Sequence, residues 1–140
     1  MDGPSDHDDF ADRLQRHGVT LTHQRLEIAA VLFRTMEHLS ADQILARVNA
    51  RNAQVSKATV YNTLKLFLEK GLLREVIVDP DRVFYDPNVA PHHHLYDVTT
   101  GHLTDIPAEA ITLARLPQLP DGMVVDGVDI VIRTRPLNPP

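Results

Sequence analysis

Apolar positions along this chain change their period once, and that change divides it into a helical half and a strand-rich half. Phe10, Leu14 and His17 fall on one side of a short helix that Gly18 is placed to end. Thr22 is positioned to cap a second helix whose apolar face is Leu26, Ala29, Ala30, Leu32 and Phe33. Ser40 opens a third, with Gln43 three residues on as a capping box requires, and its stripe is Ile44, Leu45 and Val48. The fourth is the clearest. Ser56 is its cap, Val60, Leu64, Phe67 and Leu68 recur at helical spacing, and Gly71 closes it. Its opposite face carries Lys57, Thr59, Tyr61, Asn62 and Lys65, all side chains able to meet phosphates or base edges.

Beyond Gly71 the period becomes two. Leu72 to Val78 and Arg82 to Asp86 are rich in β-branched and aromatic residues and are separated by Asp79-Pro80-Asp81, a hairpin signature. Three helices followed by a hairpin predict a winged helix, with the last helix of its helix-turn-helix in the major groove. After a Pro-bounded stretch, a second hairpin is expected from His92 to Val98 and from His102 to Ile106, turning at Thr99-Thr100-Gly101. Ala108 to Leu116 suits a helix, and Val124 to Thr134 a last strand with Gly127 as a bulge. The edge of so small a sheet invites pairing with a second copy. The expected class is therefore α+β: an N-terminal winged helix over residues 1–86, a hinge at 87–91, and a small C-terminal α/β dimerisation domain over 92–140.

Composition narrows the function. The 140 residues contain no cysteine, which excludes disulfides, thiolate nucleophiles, iron–sulfur ligation and cysteine zinc sites. Eight histidines make imidazole the first chemistry to examine. The acidic N-terminus lacks the features of a signal peptide, and no apolar run has the length of a membrane helix, so a cytoplasmic location is expected. The net charge of −5 hides a useful distribution. Residues 1–12 hold five acids and no Lys or Arg, residues 13–75 hold ten bases against five acids, and residues 76–140 hold four against nine. A basic middle between acidic ends suits a DNA-reading module.

His92-His93-His94 is the strongest local signal. On a strand, His92 and His94 share one face and His93 takes the other. Carboxylates stand nearby in sequence: Asp86 at the end of the preceding strand, and Asp105 on the partner strand of the hairpin. Imidazole with carboxylate and no thiolate favours Fe(II), Mn(II) or Zn(II), and five ligands suit iron or manganese better than tetrahedral zinc. An exposed polar hairpin whose histidines merely titrate is the alternative. Taken alone, His38 reads as a loop histidine, and His7, His17, His23 and His102 as surface residues. No Gly-rich phosphate loop, activated serine or acid–base pair is evident, so no catalytic set is predicted.

Several segments, taken in order, resemble the ferric uptake regulator (Fur) family from about Asp9 to Arg135. They are Gly18-Val19-Thr20-Leu21-Thr22-His23-Gln24-Arg25, His38-Leu39-Ser40-Ala41-Asp42, Ser56-Lys57-Ala58-Thr59-Val60-Tyr61-Asn62-Thr63-Leu64 and His92-His93-His94. The resemblance implies a homodimeric winged-helix repressor of iron homeostasis or peroxide stress genes, binding a palindromic AT-rich operator, with a regulatory Fe(II) or Mn(II) site that Zn(II) can occupy in vitro. Carried over one at a time, the ligands are His38, Asp86, His92, His94 and Asp105. Three His and two Asp look most like the peroxide-sensing PerR branch, in which bound Fe(II) reacts with peroxide, a ligand histidine is oxidised and DNA is released. Arg25 joins Lys57, Thr59, Tyr61 and Asn62 as a DNA contact.

A second likeness is to the haem- and iron-responsive Irr branch. It rests on Ala90-Pro91-His92-His93-His94-Leu95-Tyr96, Leu116-Pro117-Gln118-Leu119-Pro120-Asp121-Gly122 and Val128-Asp129-Ile130-Val131-Ile132-Arg133. It makes His93 a candidate for a second metal or haem site. Many relatives also hold a structural zinc with two CxxC pairs. The first pair would fall at Asp97 and Thr100, so that zinc is absent here. Two readings of other classes stand beside this one: a small non-haem Fe(II) enzyme using two histidines and a carboxylate, and a winged-helix adaptor that has lost its metal.

Overall fold

A computed structural model describes residues 6–51 and 54–138, with the side chains of residues 6–8 outside the described set, so the expected surface position of His7 lies outside it. The chain divides into two compact units, Met1–Val89 and Ala90–Pro140.

In the first unit, four helices precede a two-stranded hairpin: α1 (Asp6–Arg16), α2 (His23–Thr35), α3 (Ala41–Ala50), α4 (Lys57–Glu69), β1 (Arg74–Asp79) and β2 (Arg82–Asp86). Each expected cap is in place. Thr22 accepts from the Arg25 N–H, Ser40 and Gln43 form a complete capping box, and Ser56 accepts from the Thr59 N–H. These contacts satisfy amide groups that the first helical turn leaves unpaired.

The two glycine stops work alike. Gly18 and Gly71 have φ of 80° and 76°. After α4, Leu72 N–H donates to the Phe67 carbonyl at 2.9 Å and Gly71 N–H to Leu68 at 3.2 Å. After α1, Val19 and Gly18 make the equivalent bonds to Leu14 and Gln15. Both are Schellman closures, which need the left-handed residue that glycine supplies without strain.

The core of this unit is Leu14, Ile28, Leu32, Ile44, Val48, Val60, Leu64 and Phe67, with Phe10 and Phe33 extending it toward Phe67 by ring contacts at 6.0 and 6.4 Å. Leu26, Leu45 and Leu68, expected in the apolar stripes, are only partly buried at their edges. His17 is exposed, as expected of a surface histidine, with Nδ1 at 2.8 Å from the Arg13 carbonyl. The wing is antiparallel with an irregularity between Ile77 and Asp79, beside the turn. Leu72 and Leu73, expected in its first strand, instead lie buried in the connection.

The second unit is a three-stranded sheet in the order β4-β3-β5, from β3 (His92–Asp97), β4 (Leu103–Pro107) and β5 (Val131–Thr134). The β3–β4 hairpin is antiparallel and pairs His94 with Asp105, while β5 runs parallel to β3. The strand carrying the histidines is thus the central one. Asp97 shapes the hairpin turn by accepting from Thr99 N–H at 2.8 Å and Thr100 N–H at 3.2 Å. Those bonds, Thr99 first, hold its carboxyl below the usual carboxylate range.

Two expectations fail here. Instead of a helix over Ala108–Leu116 there is one 3-10 turn, Ala108–Ala110. Pro117 limits that segment, Ile111 and Thr112 are β-branched, and residues 112–116 are exposed, so nothing among the described residues packs a helical face. A helix this short needs such packing. The last strand covers Val131–Thr134 rather than Val124–Thr134, and Gly127 lies outside it rather than forming a bulge. Its ladder runs along His94–Asp97, near the end of β3, and Asp126, Gly127 and Asp129 are poor strand formers. No helix among the described residues is long and apolar enough to cross a membrane.

Two outcomes follow from these turns. A Cβ at Gly71 would meet nothing within 4 Å, so Gly71→Ala tests backbone strain alone. It should cost about 1 kcal/mol, read as a lower urea midpoint at unchanged m. Asp97, with its depressed pKa, supports its turn fully above the ordinary carboxylate range and loses that role as pH falls through its own lower pKa. Lower protection of the Thr99 and Thr100 amides, as exchange relative to the intrinsic rate at the same pH, is expected on acidification, and Asp97→Ala should show that lower protection already at neutral pH.

Candidate metal and nucleic-acid sites

Two groups of metal-type ligands form, one within each unit. In the first unit, Leu39 and Tyr85 make an isolated antiparallel bridge, with Tyr85 N–H donating to Leu39 at 2.8 Å and Leu39 N–H to Tyr85 at 3.3 Å. This pairing ties the α2–α3 connection to the wing strand β2. It sets the neighbours of the bridged residues side by side, and His38 Nε2 lies 3.2 Å from Asp86 Oδ2. The other Asp86 oxygen accepts from the Asn88 N–H at 2.9 Å, which orients the carboxylate. Asp86 is fully buried. Close by in the ladder, burial and the facing Glu75 carboxylate push the Tyr85 phenol above its ordinary pKa.

In the second unit, the alternation of β3 does what the spacing implied. His92 and His94 are both buried and share a face, with ring centroids 4.5 Å apart. Asp105, opposite His94 in the ladder, turns one oxygen to both: Oδ1 is 3.3 Å from His92 Nε2 and 3.4 Å from His94 Nε2. One ligand atom from each of the three lies within 4.8 Å of the others. His92 Nδ1 is 2.6 Å from the Ala90 carbonyl. Assigning the proton to Nδ1 satisfies that carbonyl and leaves Nε2 a lone pair aimed at a carboxylate oxygen. Two acceptors facing one another at this distance need a proton or a metal ion between them. This orienting contact to a backbone carbonyl is the kind that metal-bound histidines make. The donor set, imidazole and carboxylate without sulfur, fits a hard or borderline divalent ion.

His93 takes the opposite face. Its Nδ1 accepts from Ile130 N–H at 3.2 Å, which helps hold the approach to β5. Its imidazole thus already serves the sheet through one nitrogen.

On the helix-turn-helix, Lys57, Tyr61, Asn62 and Lys65 are exposed along α4, and Tyr61 at 43% is no core residue. Lys57 Nζ sits 5.8 Å from the Tyr61 ring centroid, and 3.8 Å from the exposed Asp42 carboxylate. Arg25, Thr59 and Asn62 converge with Thr22 and Gln24 on a groove of about 360 Å³ between the start of α2 and α4. Arg25 Nη1 donates to the Thr20 carbonyl at 2.6 Å, which fixes the guanidinium at the groove. Thr59 supports the cap of its own helix by accepting from Ser56 Oγ at 3.0 Å. Sequence reading missed Gln24 and Asn49, which bond to the turn before α4. Neither has a periodic or motif signal, since their partners are backbone groups of a loop.

A helix-turn-helix with a β wing, joined to a small sheet bearing two buried histidines against an exposed carboxylate, defines the class of two-domain winged-helix regulators. Residues 16–122 match the ferric uptake regulator family, and the chain belongs to it. The ferric uptake regulation protein of Synechococcus elongatus is 36% identical over 103 residues, covering 70% of this chain and 69% of that one. The peroxide operon regulator of Bacillus subtilis is 32% identical over 94 residues, covering 67% and 65%. The chain thus spans about two thirds of the length of these curated relatives. The ferric uptake regulator of Francisella tularensis, solved with iron, shares the fold at a TM-score of 0.70 and 20% identity, over 86% of this chain and 93% of that one. The match places the protein among transcription regulators rather than enzymes.

If the facing acceptors of the second unit are metal ligands, Asp105→Asn removes the charge that both imidazoles share. Affinity for Co(II), read by its visible absorption, should fall by about 10-fold or more, with the far-ultraviolet circular dichroism unchanged.

Proposed function

We propose that this chain is a metal-dependent DNA-binding transcriptional repressor of iron homeostasis or peroxide stress genes, acting as a homodimer. The observation that carries the reading is the gathering of imidazole and carboxylate in each unit, His38 with Asp86 in one and His92 and His94 with Asp105 in the other. The five residues 87–91 separate the last wing residue from the first of these histidines. Six backbone steps from Asp86 to His92 reach at most about 22 Å, so covalent connection alone keeps the two groups in range of one another.

His38 and Asp86 from one unit and His92, His94 and Asp105 from the other would hold one Fe(II) or Mn(II) ion, which when bound supplies a link between the units. The residues of the chain do the rest. The Ala90 carbonyl holds His92 in the tautomer that presents Nε2, the Asn88 amide holds Asp86, and the Leu39–Tyr85 bridge holds His38 at hand. Limiting the angle between the units limits the spacing of two α4 helices in a dimer, which must match half-sites about 34–36 Å apart or a multiple of that. Lys57 supplies phosphate charge, Tyr61 and Asn62 reach base edges, and Arg25 with Thr59 lines the groove where the backbone would pass. The coupling is reciprocal: whatever factor metal adds to DNA affinity, DNA adds to metal affinity.

Anaerobic titration of the apo-protein with Fe(II), Mn(II), Zn(II) or haem, reading affinity for a duplex that the protein itself selects from a random library, tests the proposal. Tightening by Fe(II) or Mn(II) is expected in the wild type, and His38→Ala should remove that dependence with the helical content intact. Equal affinity with and without metal in the wild type would overturn it. Treating the iron form with peroxide then separates the signals. Gain of one oxygen on the His38 or His92 peptide assigns peroxide sensing, whereas unmodified peptides with a response to haem assign the Irr-like alternative.

A further inference from the structure

The turn that delivers α4 carries polar contacts that no ligand role explains. Asn49, in the last turn of α3, meets a single residue at both of its backbone groups: Nδ2 donates to the Val55 carbonyl at 3.1 Å, and Oδ1 accepts from the Val55 N–H at 3.0 Å. A side-chain amide presents donor and acceptor in the spacing that a neighbouring strand would, so this is a two-point match. Val55 is buried and directly precedes Ser56, the cap residue of α4. A second tie comes from α2, where Gln24 Nε2 donates to the Gln54 carbonyl at 3.4 Å. A third links Glu27 of α2, itself buried, to Arg51 at the end of α3 at 3.8 Å.

The core contacts of α4, at Val60, Leu64 and Phe67, begin a full turn inside the helix. They fix its axis but leave its first residues to be set by the incoming chain. Those first residues include Lys57 and Thr59, and the turn they begin carries Tyr61 and Asn62 outward to read DNA. We propose that Asn49 is a positioning residue for DNA recognition, acting through Val55 to hold the cap and first turn of α4 ready before DNA arrives. Such preorganisation removes an ordering cost that binding would otherwise meet.

This inference rests on the DNA-binding reading, and the experiment separates their failures. Full-length wild type, Asn49→Ala and Asn49→Asp are titrated, metal-loaded, with the selected duplex across a range of salt. Asp keeps the acceptor for Val55 N–H and loses the donor to its carbonyl, so it tests the two-point match with minimal change of shape. Both variants should lose about 10-fold in affinity or more. Metal affinity should match wild type, and amide exchange should quicken at Val55 and Ser56. Lost affinity with wild-type exchange at Val55 and Ser56 would mean that Asn49 acts on DNA directly, and wild-type affinity in Asn49→Asp would mean that the clamp does not matter. Either overturns the inference, whereas no DNA binding by the wild type overturns the reading beneath it. If Asn49→Ala does not fold, Asn49→Asp alone decides between these outcomes.

Discussion

Two backbone hydrogen bonds between Leu39 and Tyr85 hold together parts of the first unit that are 46 positions apart in sequence. They add to the side-chain packing of Leu39, Val83 and Tyr85 against the helical core. With them, β2 gains a partner on the helical side, its last residues are drawn into a buried setting, and His38 comes against Asp86. A carboxylate as buried as Asp86 requires compensation, and it has an amide on one oxygen and an imidazole on the other. The same contact therefore serves the fold and brings an imidazole against a carboxylate.

The second unit reaches a similar end by a different route. There the strand geometry itself pairs the histidines: alternate residues of β3 face the same way, and the central place of β3 gives its two edges to β4 and β5. His92 and His94 turn toward Asp105, while His93 turns away and binds the chain entering β5. The turn where many relatives place zinc cysteines is closed in this chain by the Asp97 carboxylate and the backbone. A side chain that accepts two amides can shape a hairpin turn without metal. Both devices concern single turns, so they cost the small sheet little of its packing.

The helical unit and much of the site were legible in the sequence because their determinants are local. Ser40 with Gln43, Ser56 with Thr59 and the glycines at 18 and 71 are spacing rules within one helix turn, and all hold. The face of α4 left outward was readable for the same reason, as was the shared side of His92 and His94. Asp105 could be named from the hairpin register, and it does oppose His94. His38 could not be named from spacing, since a histidine in a loop carries no period, and only family resemblance selected it.

What the sequence by itself determined, then, is whatever depends on neighbours within a few residues: helix limits, caps, the wing turn and the alternation of β3. What the tertiary structure decided depends on partners far away along the chain. Ala108–Leu116 had helical composition, yet it keeps a single 3-10 turn because no surface among the described residues covers it. The final strand is cut to Val131–Thr134 because a strand extends only as far as its ladder partner. Likewise Asn49 gains its role from a loop backbone that happens to lie opposite its amide. Hydrogen bonds to distant backbone leave no pattern in a sequence, since the groups they use are the same in every residue.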